Sequence, residues 1–176
     1  MGLESVTQFI NAVSFFDAFN EKEKQKFLAD KACFIQYKEN DSVFKQGEQG
    51  NTLFLVLQGQ IGLFRVGTIK VAKGRVSLKE EIEKHITNLN PGTVFGEVSM
   101  LTESKRNVTA RVFSNQAVVM RISKKLIDSL NHLTQIKFHR QLLLSLAIHL
   151  DNMNSQFVDL KYENDQMKKD NQNTLL

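Results

Sequence analysis

Apolar residues recur along this chain with different periods, and the changes of period divide it. Over residues 4–30 the spacing is helical, with Val6, Phe9, Ile10 and Val13 on one face. The next run, NEKEKQKFLAD, opens with Asn20 as an N-cap and carries carboxylates in its first turn. From Cys33 to about Ile122, short stretches rich in Val, Ile and Phe alternate with Gly and Asn turns. CFIQY, SVFKQ, NTLFLVLQ, QIGLFRV, HITNLN, NVTARVF and AVVMRIS read as strands, at the spacing of an all-β sandwich or barrel. Gly59 falls between two of these runs, where a tight hairpin needs a permissive residue. One charged, amphipathic stretch, VSLKEEIEKH (residues 76–85), breaks the rhythm and predicts a short surface helix between two strands.

After Ser123 the pattern is helical again. KKLIDSL predicts a short helix, and a long one starts near Leu133. Leu143, Leu146, Leu150, Met153, Phe157, Leu160, Asn164 and Met167 follow at spacings of 3, 4, 3, 4, 3, 4 and 3. That is an a/d heptad seam with Asn164 at an a position, the pattern of a parallel, in-register homodimer. The alternative is that residues 142–157 pack on their own β domain and the polar tail frays. Three parts result: an N-terminal helical segment (1–30), a β core (31–123) and C-terminal helices with a coiled-coil extension (124–176).

At 176 residues the chain has room for one domain with a real core. Its single cysteine, Cys33, excludes an internal disulfide framework and a cysteine-held iron–sulfur cluster, and fits a reducing compartment. Cys33 itself reads as a core residue of a strand. The longest apolar run, LLLSLAI, is too short to span a bilayer, and the N-terminus lacks a secretory pattern. A cytoplasmic protein is therefore expected, without a membrane partner. Net charge is +4 with no dense basic block, so nucleic acid is not an expected partner, whereas a small anion is compatible. His85, His132, His139 and His149 form no metal-ligand constellation in their spacing, and no nucleophile–base arrangement can be argued. The reading is of a non-enzyme without a metal.

The chemistry concentrates in PGTVFGEVSMLTESKRNVTA (residues 91–110). VSML is long enough for one helical turn, and a turn opening at a glycine presents unpaired N–H groups to an anion. Arg106 returns a permanently charged fork toward that seat. Glu97 would repel an anion, so it makes sense only as an acceptor for a neutral part of the same ligand, such as a sugar hydroxyl. Phosphate plus ribose satisfies both residues. The competing reading is an internal Glu97–Arg106 ion pair that closes the turn.

With these pieces in order, the chain resembles the cyclic nucleotide-binding domain family over about residues 9–160. The marks are FKQGEQGNTLFLVLQGQIGLF (44–64), similar to the family's glycine-punctuated hairpin, and FGEVSMLTESKRNVTARV (95–112), similar to its phosphate-binding cassette. The resemblance implies a β-barrel of the double-stranded β-helix or jelly-roll type, with N-terminal helices and a long C-terminal helix. It implies that Arg106 pairs with the cyclic phosphate, that Glu97 accepts from the ribose 2′-hydroxyl and that the Gly96 backbone faces the ribose. Val98 and Ser99 would offer N–H groups to the phosphate. Asn107 departs from the small residue usual after the arginine, and its side chain can donate as well as accept. Met153 and Asn154 lie where family members bring C-helix residues to the purine. The region 67–86 is longer than the usual connection.

The function expected is a sensor that binds cyclic AMP, with cyclic GMP as second choice, and moves its C-terminal helix in response. An effector protein or effector domain would receive the signal. The alternative is an interaction module working through its coiled coil, with the pocket unused. A small cupin-type enzyme is disfavoured by the missing histidine cluster.

Overall fold

The computed structural model describes residues 3–73 and 76–173, and they form a mainly β structure with flanking helices. The chain divides into two compact units, Met1–Lys137 and Phe138–Leu176. The first unit holds two four-stranded antiparallel sheets. One is ordered β1 (Phe34–Lys38), β8 (Gln116–Ser123), β3 (Thr52–Gln58), β6 (Val94–Phe95); the other is β2 (Ser42–Phe44), β7 (Thr109–Val112), β4 (Ile61–Lys73), β5 (Val76–Leu89). Every run read as a strand overlaps one, though β4 and β5 extend well beyond theirs, and the two-residue β6 matches none of those runs.

Residues from both sheets, including Phe44, Phe54, Val56, Ile61, Leu89 and Val112, share one core. Each such side chain contributes about 1.5–3 kcal/mol when buried. β3 is buried on both faces: Phe54 and Val56 face this core, while Leu53 and Leu55 are fully buried on the other side. Helix α1 (Leu3–Ala12) packs against β3. Double burial explains why LFLVL is continuously apolar rather than alternating.

The stretch 76–85 is not a helix but most of β5. It pairs with β4 from Ile61↔Leu89 to Lys73↔Val76, with a register shift between Leu63 and Phe64. Its apolar positions Leu78, Ile82 and Ile86 recur every four residues, a spacing that fits a helix face and a strand face alike. Hydrogen bonding to β4 decides between them. β7 pairs with β4 only from Ile61 to Phe64, so the rest of the hairpin is a two-stranded ribbon. Just past β7, the Gln46 side chain takes the place of a strand neighbour. Val66 N–H donates to its Oε1 (2.9 Å), and its Nε2 donates to the Val66 carbonyl (3.3 Å).

Cys33 is buried as expected, but it closes a short 3₁₀ turn, Lys31–Cys33, ahead of β1 rather than lying in the strand. Its thiol donates to the Asp30 carbonyl at 2.8 Å. Burial, helped by nearby Asp30, pushes the Cys33 thiol up to about 12, so it is a core group rather than a reactive one.

Helix α2 (Glu21–Leu28) carries the expected cap. Asn20 accepts from Glu23 N–H (3.0 Å) and Glu23 accepts from Asn20 N–H (2.8 Å), a reciprocal capping box. The rings of Phe15, Phe16, Phe19 and Phe27 pack beside it, several edge to face. Glu23 also accepts from Lys137 Nζ at 2.8 and 3.0 Å, and from the Thr134 hydroxyl at 3.3 Å. The Lys137 hydrogen bond, then the Asn20 N–H, hold the Glu23 carboxyl below its ordinary value against the opposing effect of burial. This contact fixes helix α2 to the start of the long C-terminal helix, where Thr134 and Lys137 lie.

Helix α4 (Lys124–Ser129) is capped by Ser123, whose hydroxyl accepts from Leu126 N–H at 3.2 Å. Helix α5 (His132–Asn173) starts at Asn131, whose side chain accepts from Thr134 N–H at 2.9 Å. It is one continuous helix of 42 residues, as the heptad pattern predicts. In the second unit the seam residues Leu143, Leu150, Met153, Phe157, Leu160 and Met167 are exposed.

Candidate functional site

The site is built where the two glycine-bearing stretches meet. Helix α3 (Glu97–Leu101) follows β6 and is the single turn that the sequence predicts. Its N-cap, Gly96, has φ 74°, in the left-handed region, and contributes no side-chain cap. A Cβ there would lie 2.7 Å from Arg106 Nη1. Glycine is thus required by backbone and space together.

The β2–β3 loop runs alongside the end of the cassette as an improvised strand pair. Gly47 N–H donates to the Arg106 carbonyl (2.8 Å), Arg106 N–H to the Glu48 carbonyl (2.8 Å), and Gly50 N–H to the Ser104 carbonyl (3.2 Å). Gln49 and Lys105 form a bridge between them. Gly50 lies so near α3 that a Cβ would be 2.4 Å from the Ser99 Cβ.

Arg106 is 5% exposed and stands at the centre. Its Nη1 donates to the Gly96 carbonyl and to Ser99 Oγ, both at 2.6 Å. Its Nη2 donates to the Thr52 carbonyl (2.7 Å) and to Thr52 Oγ1 (3.1 Å). The guanidinium lies 4.3 Å from the centre of the Phe44 ring and 5.7 Å from that of Phe54. Nε is buried with no hydrogen-bond partner. Burial pulls the guanidinium below its ordinary value, while Glu48 and Glu97 act the other way and favour the charged form. The Nη1 and Nη2 bonds go to uncharged oxygens of Gly96, Ser99 and Thr52.

Of the other predicted site residues, Glu97 and Ser99 are buried in α3, whereas Val98 and Asn107 are exposed. Gly96, Glu97, Val98, Ser99, Arg106 and Asn107 fall within one short segment around α3. Met153 and Asn154 belong to the second unit, and both are exposed on α5. A cavity of about 240 Å³ opens on the β1–β3 side of Arg106, with Tyr37, Glu48, Asn51, Thr52 and Arg121 in its wall. Of the predicted site residues, Arg106 alone borders it. Sequence reasoning missed Thr52, Phe44 and the Ser99 hydroxyl. A threonine opening a strand and a phenylalanine ending one carry no signal until Arg106 is placed between them.

Among the described residues, no cluster of His, Cys, Asp or Glu could hold a metal ion. No described helix is long and apolar enough to cross a membrane.

A short helix that opens at a left-handed glycine beside a buried arginine is set in two antiparallel sheets, and a long C-terminal helix follows. Residues 34–131, more than half of the chain, match the cyclic nucleotide-binding domain, and the chain belongs to that family. It is 30% identical over 102 residues to a cGMP-dependent protein kinase of Plasmodium berghei, across 57% of this chain and 10% of the kinase. It is 34% identical over 74 residues to the cyclic AMP receptor protein of Thermus thermophilus, across 42% of this chain and 29% of that protein. The chain thus spans only a minor part of these relatives. Among solved structures, a cyclic nucleotide-binding domain from Methylobacillus flagellatus shares the fold, with a TM-score of 0.63 and 16% identity, across 89% of this chain and 82% of that one.

Proposed function

We propose that this chain is the sensor part of a signalling protein and binds a 3′,5′-cyclic nucleotide, cyclic AMP ahead of cyclic GMP. The observation that carries the reading is the buried, unpartnered Nε of Arg106 beside the uncapped N-terminus of α3. A lone buried donor of a cation calls for an acceptor, and an anion there also meets the N–H groups of Val98 and Ser99. The ribose would face the Gly96 backbone and Glu97, and Asn107 would contact the phosphate or a purine edge. Met153 and Asn154 are assigned to the base, with α5 as the lid whose movement is the output. In this scheme residues 31–123 hold the ligand, 1–30 support them and 124–176 carry the signal to an effector in the cytoplasm. Neither nucleic acid nor membrane is a partner, and no catalysis is assigned.

Calorimetric titration with cyclic AMP, cyclic GMP and the linear mononucleotide tests the reading. Cyclic ligands should bind and the linear one should bind far more weakly. The 2′-deoxy ligand should bind worse than the ribo ligand, and Glu97→Gln should shrink that difference, since a neutral amide accepts more weakly. Equal affinity for ribo and deoxyribo ligands would remove Glu97 from the site.

The exposed heptad stripe of α5 favours a second element of the proposal, a parallel homodimer through that helix. Truncation after residue 145 is expected to give a monomer with weakened nucleotide binding and an intact cassette. Sedimentation that finds the full chain monomeric, with unchanged affinity after truncation, would reject both the lid and the seam. The coiled coil would remain the working part if cyclic nucleotides fail to bind while the dimer forms.

A further inference from the structure

We propose that the cavity beside Arg106 is a second anion site, which takes a small hydroxyl-bearing phosphate ester and, when filled, weakens nucleotide binding through Arg106. The site stands apart from the nucleotide reading above, and only the coupling rests on it. Arg121 occupies a position that the sheet pattern assigns to an apolar side chain. It lies on β8, in register with Phe54 of β3. Alternation along β8 places it on the same face as Ala117 and Val119, both members of the core between the sheets. Inward-pointing charges protect the edges of sheets, but β8 is an inner strand, flanked by β1 and β3. Nor does an internal partner account for it. Among the described residues, Arg121 makes no hydrogen bond or ion pair. It is exposed and borders the cavity of about 240 Å³, so a cation stands at the cavity mouth with no carboxylate bonded to it.

Two neutral groups around the cavity are unspent as well. Tyr37 on β1 and Asn51 in the β2–β3 loop border it, and among the described residues neither side chain makes a hydrogen bond. Burial, against the opposing charge of Arg121 and with the field of Asp41, holds the Tyr37 hydroxyl above its ordinary value, so it stays a donor. The wall sets two guanidinium groups, Arg106 and Arg121, against one carboxylate, Glu48, a balance that favours an anion. Donors arrive from β1, from β8 and from the loop. The tetrahedral oxygens of a phosphate can meet all three, whereas a planar carboxylate has only two oxygens to offer. At about 30 Å³ per water, a cavity of about 240 Å³ holds roughly eight, more than a bare phosphate fills. The remaining space suits a short polyol body, whose hydroxyls give Glu48 something to accept. Arg106 belongs both to this wall and to the proposed nucleotide site. A phosphate in the cavity offsets part of the charge that Arg106 offers a nucleotide, and by linkage the two ligands oppose each other equally.

Calorimetric titration of the full chain with glycerol phosphate, without nucleotide, reads the site directly. The native chain should bind it more tightly than inorganic phosphate, and glycerol alone should not bind. Arg121→Gln should melt at the native temperature, because the side chain it replaces is exposed and unbonded, yet bind glycerol phosphate at least about tenfold more weakly. Arg121→Lys should keep part of the binding, as a point charge does, and Tyr37→Phe should weaken it by roughly two- to tenfold. At constant ionic strength, saturating glycerol phosphate should weaken cyclic AMP binding to the native chain by about fivefold, the low end of typical couplings. In Arg121→Gln that effect should vanish. If the native chain does not bind glycerol phosphate, or Arg121→Gln binds it equally well, the site is overturned whatever cyclic AMP does. Unmoved cyclic AMP affinity with the cavity filled would overturn the coupling. Glycerol phosphate binding that depends on Arg121, in a chain that binds no cyclic nucleotide, would uphold the site and reject the nucleotide reading.

Discussion

Arg106→Ala is expected to reduce binding and folding stability together. For binding, the loss of a charged donor to the phosphate is expected to cost about 1.5–3 kcal/mol, roughly a ten- to hundredfold fall in affinity. For stability, the reason is visible in its contacts. The side chain is buried, stacks on Phe44 and satisfies oxygens of Gly96, Ser99 and Thr52. Truncation strands those acceptors and leaves a cavity between α3 and β3, so thermal unfolding should begin at a clearly lower temperature. Arg106→Lys should recover part of the stability and little of the binding. An ammonium offers three donors as a point charge, too few for four acceptors and without the planar fork. Circular dichroism establishes whether each variant is folded, and calorimetry then reads affinity. Unchanged affinity in a folded Arg106→Ala protein would take Arg106 out of the ligand site.

The parts of this structure that were legible from the sequence are those fixed by local chemistry. The Asn20 cap and the turn after Gly96 each depend on a few adjacent residues, and they formed where expected. The strand runs were legible because Val, Ile and Phe clusters between turn residues admit few other structures. What could not be read depends on partners distant in sequence. Leu78, Ile82 and Ile86 fit two periods at once, and only pairing with β4 makes them a strand. β6 is two residues long, too short to show any period. At the candidate site, the charges Glu97 and Arg106 announced themselves. The neutral oxygens that hold Arg106 did not, because a carbonyl is present at every residue and Thr52 is 54 positions away.

Gly50 is the other position where a single atom should have a large effect. Its backbone needs no left-handed angle, so the reason for glycine is space alone. A Cβ would sit 2.3 Å from Ser99 Oγ, 2.4 Å from Ser99 Cβ and 3.1 Å from the Ser104 carbonyl. The Ser99 Cβ is fixed to the backbone of α3, so the conflict cannot be relieved by swinging a long side chain aside. Either the β2–β3 loop or α3 must move, and the Gly50–Ser104 and Arg106–Glu48 backbone bonds join the two. Gly50→Ala is expected to cost about 1–3 kcal/mol of stability, as overpacking does, and to weaken nucleotide binding by shifting Ser99 and Arg106. Gly67→Ala is the control, since a Cβ there meets nothing within 4 Å; it should change stability by no more than about 0.5 kcal/mol. Adding Ser99→Gly to Gly50→Ala removes both of the closest atoms. The pair should then be more stable than the two single effects predict, with a coupling of about 0.5–3 kcal/mol in a double-mutant cycle. Denaturant unfolding of the four proteins measures that coupling directly. Additive effects, or a Gly50→Ala protein as stable as Gly67→Ala, would mean that the loop and the cassette are not packed against each other as described.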